Sequence, residues 1–228
     1  PMSTPKLSRS RRTTFLSFQP PAVGEDEIEA VAETIRSGWL TTGPRTAELE
    51  ERFAAYTGAK HAIALSSGTA ALHLSLLALG VGPGDEVITT PITWPATANV
   101  IVHAGATPVF ADVREHDGNV DPAAVAACVT PRTKAIVPVH YTGVAADVHA
   151  LRARFPEIPI VVDAAHAVET TYADGSSGSG AGATCAAYSF YVTKNLTTAE
   201  GGMLVTDDPD LAADARVRSL HGLDNDAW

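Results

Sequence analysis

Lys194 is the residue of this chain whose position best fits covalent chemistry. It lies in a short polar turn between two apolar runs of strand length, 184–191 and 203–206. Most lysines point into solvent, but this one lies too close to a packed sheet to be a freely solvated charge. Burial lowers the pKa of an amine, and the free amine is the form that makes Schiff bases with carbonyl compounds. The sequence therefore predicts a reactive amine at Lys194.

Asp163 is the second residue with chemical potential, because it ends the apolar run 158–163. A carboxylate at the carboxyl end of a core strand is costly unless a cationic group meets it. A protonated pyridine nitrogen would be such a partner, and pyridoxal phosphate (PLP) cofactors need both that carboxylate and a lysine. Lys194 and Asp163 together predict a PLP site.

The segment 66–72, SSGTAAL, follows a predicted strand and opens a predicted helix. Free amides at a helix N-terminus bind anions, and Gly68 would let an anion approach closely. A plain N-cap on a core helix is the alternative, and the segment alone leaves both open.

Trp94 follows another strand, at the sheet edge where open α/β folds bind their ligands. From position alone it is either a core residue or a stacking platform.

His140 and His166 also end strands, and Cys185 lies in one. No two of these residues have the spacing of metal ligands, so no metal site is expected.

Composition narrows the class of protein. A chain of 228 residues holds one large domain, or one and a fraction, and its net charge of −10 argues against a nucleic-acid partner. No run reaches 18 apolar residues, so no membrane span is expected. Cys128 and Cys185 form no close pair and indicate a reducing, cytoplasmic location, with both as core residues. Residues 1–20 are predicted to form a flexible arm with four basic residues: Lys6, Arg9, Arg11 and Arg12.

Helical and strand patterns alternate from residue 21 to 228, which predicts one α/β domain. The predicted helices are 25–37, 47–56, 68–79, 95–104, 122–129, 147–155 and 209–220. The predicted strands are 62–65, 86–90, 107–113, 134–140, 158–163, 184–189 and 202–206. Such alternation requires right-handed crossovers and a mostly parallel sheet in a three-layer α/β/α fold. The last two strands flank the lysine turn, so part of the sheet is expected to be antiparallel.

Six motifs together resemble the fold type I PLP enzymes, and within them the DegT-type nucleotide-sugar aminotransferases. In order and spacing they cover the chain after the arm, and the last two are the most specific. They are GWLTTGP (38–44), SSGTAAL (66–72), DEVITTPITWPATAN (85–99), PVHYTG (138–143), DAAHA (163–167) and SFYVTKNLTTAEGG (189–202). The resemblance implies the large PLP domain of that fold. The family's small C-terminal domain is not expected in this chain.

The resemblance also implies roles for single residues. Lys194 would hold PLP as an internal aldimine and later move a proton, while Asp163 would keep the pyridine nitrogen protonated. Ala165 would pack on one face of the ring and Trp94 on the other, with His166 near the phenolic oxygen.

The phosphate group of PLP would be bound by the amides of Gly68 and Thr69 and by the Ser189 hydroxyl. The spacing of Ser189 and Lys194 fits the family pattern, and Asn195 belongs to the same implied cofactor site. Some relatives carry histidine in place of the lysine and act as dehydratases, which Lys194 argues against here.

The implied reaction is ping-pong transamination. An amino donor, expected to be glutamate, would convert PLP to its pyridoxamine form, which would then aminate a keto-sugar nucleotide, with C4 as the candidate position. A homodimer with a shared active site is expected by resemblance.

Three alternatives remain open. One is an amino-acid or amino-alcohol transaminase, and another is an aminotransferase for a keto-cyclitol in aminoglycoside biosynthesis. The third is a truncated, non-catalytic PLP-binding protein that serves as a sensor or scaffold. A dinucleotide site is disfavoured because no GxGxxG motif follows a strand.

Overall fold

Seven strands form the centre of the computed structural model, which describes residues 13–16, 19–177 and 182–223. The strands are β1 (His61–Leu65), β2 (Glu86–Thr89), β3 (Thr107–Phe110), β4 (Thr133–Ile136), β5 (Val161–Asp163), β6 (Cys185–Ser189) and β7 (Gly202–Thr206). Most of them are short, continuous apolar segments, as expected for strands that are covered on both faces.

The strands pair in two ladders, with the orders β1-β7-β6-β5 and β3-β2-β4. Two parallel bridges, Ile136 to Ile160 and Val139 to Asp163, connect the ladders between β4 and β5. Only β7 runs antiparallel to its neighbours, β1 and β6. The sheet is therefore mixed but mostly parallel, as the sequence predicted, and its antiparallel pair flanks the lysine turn.

Seven helices are described: α1 (Glu25–Ser37), α2 (Pro44–Thr57), α3 (Gly68–Ala78), α4 (Pro95–His103), α5 (Pro122–Cys128), α6 (Val148–Arg154) and α7 (Pro209–Ser219). Local chemistry fixes where they begin. The side chains of Ser67, Asp121, Asp147 and Asp208 accept hydrogen bonds from first-turn amides of α3, α5, α6 and α7. Proline opens α2, α4, α5 and α7, where its missing N–H costs nothing.

Two clusters of buried apolar side chains lie on the two faces of the sheet. One contains Phe53 of α2, Val125 of α5 and Leu151 of α6. The other contains Leu76 of α3 and Ile101 of α4, together with side chains of α7. Neighbouring strand residues alternate between the clusters, so helices cover both faces. This is the predicted three-layer α/β/α architecture.

The predicted elements are confirmed, with differences at their ends. β4 stops at Ile136 rather than at residue 140, because Pro138 has no N–H for the ladder.

Cys185 is buried as expected, but Cys128 is only half-buried, beside edge strand β3. The basic residues of the predicted arm lie outside the described residues. Within the described ranges, no helix is both long and apolar enough to cross a membrane.

His140 joins the end of β4 to the strand that carries Asp163. Its backbone amide donates to the Asp163 carbonyl at 3.0 Å. Its ring Nδ1 accepts from the Ala146 amide at 3.1 Å, so the proton of the neutral ring lies on Nε2, 3.0 Å from the Tyr172 hydroxyl. Burial lowers the pKa of His140 to about 4. The fold therefore holds this histidine neutral.

We predict that the free energy of unfolding falls as the pH drops from 6.5 to 4, because the unfolded chain protonates His140 in that window and the folded chain does not. The loss attributable to this residue is about 3 kcal/mol. Urea unfolding at several pH values measures it.

His140→Gln should flatten this pH dependence, whatever its stability at neutral pH. His221→Gln, at an exposed histidine, is the matched control and should keep the wild-type slope. An unchanged slope in His140→Gln would contradict a neutral buried imidazole.

Candidate active site

The candidate residues meet at one edge of the sheet. Asp163 ends β5, Ser189 ends the neighbouring parallel strand β6, and Lys194 lies in the loop that follows. Trp94 follows β2 and caps the N-terminus of α4. Ends of parallel strands converge on the same edge, which is where open α/β sheets bind ligands.

Asp163 is a buried carboxylate that accepts hydrogen bonds from neutral donors. It is 4 % exposed. Its Oδ2 accepts from the Thr97 hydroxyl at 2.7 Å, and its Oδ1 accepts from the Ala165 amide at 3.1 Å. Burial raises the pKa of this carboxyl, although both hydrogen bonds favour the ionised form. Each oxygen retains a lone pair, so the carboxylate can accept a further hydrogen bond from a cationic N–H group.

Lys194 and His166 form the adjacent pair. Lys194 Nζ lies 2.6 Å from His166 Nε2. Burial lowers the pKa of Lys194, while the charge of Asp163 acts in the opposite direction. Burial also lowers the pKa of His166, and the nearby Lys194 charge lowers it further. A hydrogen bond between the two nitrogens needs one of them as acceptor, so Lys194 and His166 together carry at most one positive charge.

A second part of the site is built from close backbone contacts. Gly68 packs against β6 so tightly that a Cβ at this position would lie 2.9 Å from the Cβ of Ser189. Gly202 pairs with Ser189 across β6 and β7, and with Leu65 across β1 and β7. A Cβ at Gly202 would overlap the backbone of Ser67 and Gly68. Glycine at both positions therefore lets the start of α3 lie directly on the sheet.

The amides of Gly68 and Thr69 have no hydrogen-bond acceptor within the described part of the chain. The Ser67 side chain caps the Ala70 amide instead, at 3.0 Å. Both free amides lie at the N-terminus of an 11-residue helix, where the helix dipole favours negative charge. With the Ser189 hydroxyl beside them, they form a cradle that fits a phosphate group.

Trp94 is 79 % exposed, so it is not a core residue. Its carbonyl oxygen lies 3.1 Å from the Thr97 hydroxyl, which also reaches Asp163. The backbone of Trp94 therefore lies close to the hydroxyl that reaches the carboxylate, and its exposed indole is open to a flat ligand. Asn195 is exposed, and only its place in the chain connects it to Lys194.

Two residues in these contacts were not singled out from the sequence. Thr97 lies in the TWPATAN motif and Gly202 ends the AEGG segment, so both were inside recognised motifs. A threonine in a helix and a glycine at a strand end have many ordinary explanations. Only the pairing of β5, β6 and β7 shows what each one contacts.

The described residues contain no group of three or more histidine, cysteine or acidic side chains that could hold a metal ion. His140 is engaged with Ala146 and Tyr172, and Cys185 is buried inside the second core cluster. The groups that meet at this edge of the sheet are the Lys194 amine, the Asp163 carboxylate and the free amides of Gly68 and Thr69.

The fold and site together define the large domain of the fold type I PLP enzymes. More specifically, the sequence model of the DegT/DnrJ/EryC1/StrS aminotransferase family matches residues 21–228, and the chain belongs to that family.

Known proteins similar to this chain agree with the assignment. The spore coat polysaccharide biosynthesis protein SpsC of Bacillus subtilis (strain 168) is 54 % identical over 220 residues, which are 96 % of this chain and 56 % of SpsC. Spr1654 of Streptococcus pneumoniae, solved in its PLP form, is 39 % identical with a TM-score of 0.85, over 91 % of this chain and 58 % of that protein.

A third relative is PseC of Helicobacter pylori, an aminotransferase involved in the biosynthesis of pseudoaminic acid. It is 35 % identical with a TM-score of 0.85, and the match covers 93 % of this chain and 58 % of PseC. The chain thus spans little more than half the length of the relatives it matches.

We predict that Gly202→Ala weakens the binding of PLP about tenfold or more, because the added methyl group displaces the cradle at a cost of about 1–3 kcal/mol. Pyridoxal, which lacks the phosphate, should lose far less affinity. Absorbance titrations with the two compounds measure the ratio.

Gly82→Ala is the matched control, since a Cβ there meets nothing within 4 Å. It should leave both affinities unchanged. An equal loss for PLP and pyridoxal in Gly202→Ala would mean that Gly202 supports the fold and not the phosphate cradle.

Proposed function

We propose that this chain is the PLP-binding part of an aminotransferase that acts on a keto-sugar nucleotide. Glutamate is the proposed amino donor, and C4 of the sugar is the proposed acceptor position. Support comes from the family, from relatives in polysaccharide and pseudoaminic acid biosynthesis, and from the site itself.

The buried carboxylate of Asp163 is the observation that carries the proposal. A group with a raised pKa and only neutral donors around it is stabilised most by a cation with an N–H. The pyridinium nitrogen of PLP is such a group. The free amides of Gly68 and Thr69, with the Ser189 hydroxyl, supply the matching partners for its phosphate.

When bound, PLP supplies an electron sink for the carbon from which a proton is removed. The chain's own residues perform the other tasks. Asp163 holds the ring nitrogen in its charged form, and Trp94 and Ala165 enclose the ring between them. Lys194 anchors the cofactor, because burial lowers the pKa of its amine and so favours the free form that reacts with an aldehyde.

Lys194 is also the proposed proton carrier. Its Nζ lies 2.6 Å from His166 Nε2, so the imidazole can accept or return a proton whenever the amine must change its state. The negative charge of Asp163 raises the pKa of both groups and so favours a proton on the pair. The arrangement fits an amine that alternates between nucleophile and base.

The loop 38–44 is the segment proposed to contact the substrate. Trp39 Nε1 donates to the Thr42 carbonyl at 2.9 Å, and the indole covers Gly43 so closely that a Cβ there would overlap it. This contact fixes the turn and leaves Leu40 exposed. A loop held by such a contact, with exposed side chains, suits selection among acceptor sugars.

A homodimer with a shared active site and a cytoplasmic location are further parts of the proposal. The site is open to solvent at Trp94, Tyr191 and Leu196, all of which are exposed. A second copy could cover these side chains. The two cysteines are unpaired, in keeping with a reducing compartment.

Borohydride reduction of the PLP-loaded protein, followed by peptide mapping, tests the anchor. We predict that the label lies on Lys194, and that glutamate converts the visible absorption of bound PLP to that of its pyridoxamine form. In Lys194→Ala the label should vanish and turnover should fall by at least about 10²- to 10⁴-fold.

Lys134→Ala, at an exposed lysine on β4, is the matched control and should keep both label and turnover. Label on Lys194 without a response to glutamate would indicate a non-catalytic PLP-binding protein. A label elsewhere, or none, would contradict the proposed site.

A panel of acceptors tests the substrate class. With glutamate as donor, amine transfer should be fastest to nucleotide-linked 4-keto sugars. Faster transfer to a keto-cyclitol or to simple keto acids would replace the sugar proposal by one of those two classes, and would leave the role of Lys194 unchanged.

A further inference from the structure

A chain of two threonine hydroxyls leads from the loop after β2 to the buried carboxylate. Thr97 is fully buried in the first turn of α4, and its Oγ1 lies 2.7 Å from Asp163 Oδ2. On its other side, the same Oγ1 lies 2.7 Å from Oγ1 of Thr93, which is half-buried. The two hydroxyls therefore connect Asp163 to the segment that carries Trp94.

The ionised carboxylate sets the direction of these hydrogen bonds. A carboxylate only accepts, so Thr97 must donate its single proton to Asp163. That proton is then not available to the Trp94 carbonyl, which is the more distant acceptor at 3.1 Å. Thr93 must in turn donate to Thr97, and this strengthens the donor that Thr97 offers to the carboxylate.

Besides the hydroxyl of Thr97, the Ala165 amide is the only donor to this carboxylate among the described residues. The charged and titratable groups near Asp163 are Lys194 and His166, which act without a direct hydrogen bond to it. The Ala165 amide holds Oδ1 and the Thr97 hydroxyl holds Oδ2. Together they fix the plane of the carboxylate and favour its ionised form.

We propose that Thr97, supported by Thr93, is a positioning residue that keeps Asp163 ionised and oriented toward the ring nitrogen of the cofactor. This inference rests on the proposed function and deepens it. Thr97 acts through Asp163, so its effect should depend on the ring nitrogen and not on the rest of the cofactor. Because Thr97 lies in the first turn of α4, its bond to Asp163 also ties the N-terminus of that helix to the carboxylate.

The test compares PLP with its deaza analogue, in which a C–H group replaces the ring nitrogen. Thr97→Val keeps the shape of the side chain and removes the hydroxyl. It should weaken the binding of PLP about tenfold, the usual effect of losing a hydrogen bond to a charged group, and weaken that of the deaza analogue less than about twofold. Thr97→Ser restores the hydroxyl and should restore the affinity for PLP.

Two further variants complete the series. Thr93→Val should show the same selectivity with a smaller loss, because it removes only the supporting donor. Thr89→Val is the matched control, since Thr89 is equally buried but donates to the Val137 carbonyl at 2.9 Å. It should not discriminate between the two cofactors.

The outcomes separate this inference from the proposed function. If the unmodified protein binds no PLP at Lys194, the proposed function fails. If it binds PLP but Thr97→Val weakens both cofactors equally, or neither, the positioning role of Thr97 is wrong while the proposed function stands.

Discussion

The burial of one carboxylate organises this structure. Asp163 is held by the sheet itself: its amide donates to the Pro138 carbonyl at 2.9 Å, and its carbonyl accepts from the His140 amide at 3.0 Å. The backbone of Asp163 is thus fixed and its side chain is buried, so its charge must be met inside the protein. The Thr97 hydroxyl and the Ala165 amide meet it in part. A cationic ring is the partner that would complete the environment.

Strand register transmits this constraint to the rest of the site. Asp163 pairs with Ala187 of β6, and Ser189, two residues further along β6, pairs with Gly202 of β7. The backbone of Ser67 and Gly68 packs directly against Gly202. The separation of carboxylate and phosphate cradle is thus set by backbone hydrogen bonds and not by flexible side chains. Pre-organisation of this kind lets a site bind a rigid cofactor without reordering itself.

Much of this arrangement was predictable from the sequence. Alternating apolar runs predicted the strands and helices, and Lys194 in its turn and Asp163 at a strand end were predicted to belong to one PLP site. What could not be predicted are contacts that depend on pairing between distant segments. The sequence does not show that Thr97 reaches Asp163, or that Gly202 underlies the start of α3, because neither contact is local. Nor does it show the exposure of Trp94, which depends on how α4 meets the sheet.

The most direct test follows the protonation of Asp163 itself. ¹³C NMR of protein labelled at aspartate carboxyls, assigned by comparison with Asp163→Asn, measures the pH at which this group takes up its proton. Without cofactor we predict a midpoint above the ordinary value of 3.8, and PLP should lower it because the ring nitrogen supplies the missing cation. An ordinary midpoint without PLP, or one that PLP leaves unchanged, would contradict the central role of the buried carboxylate.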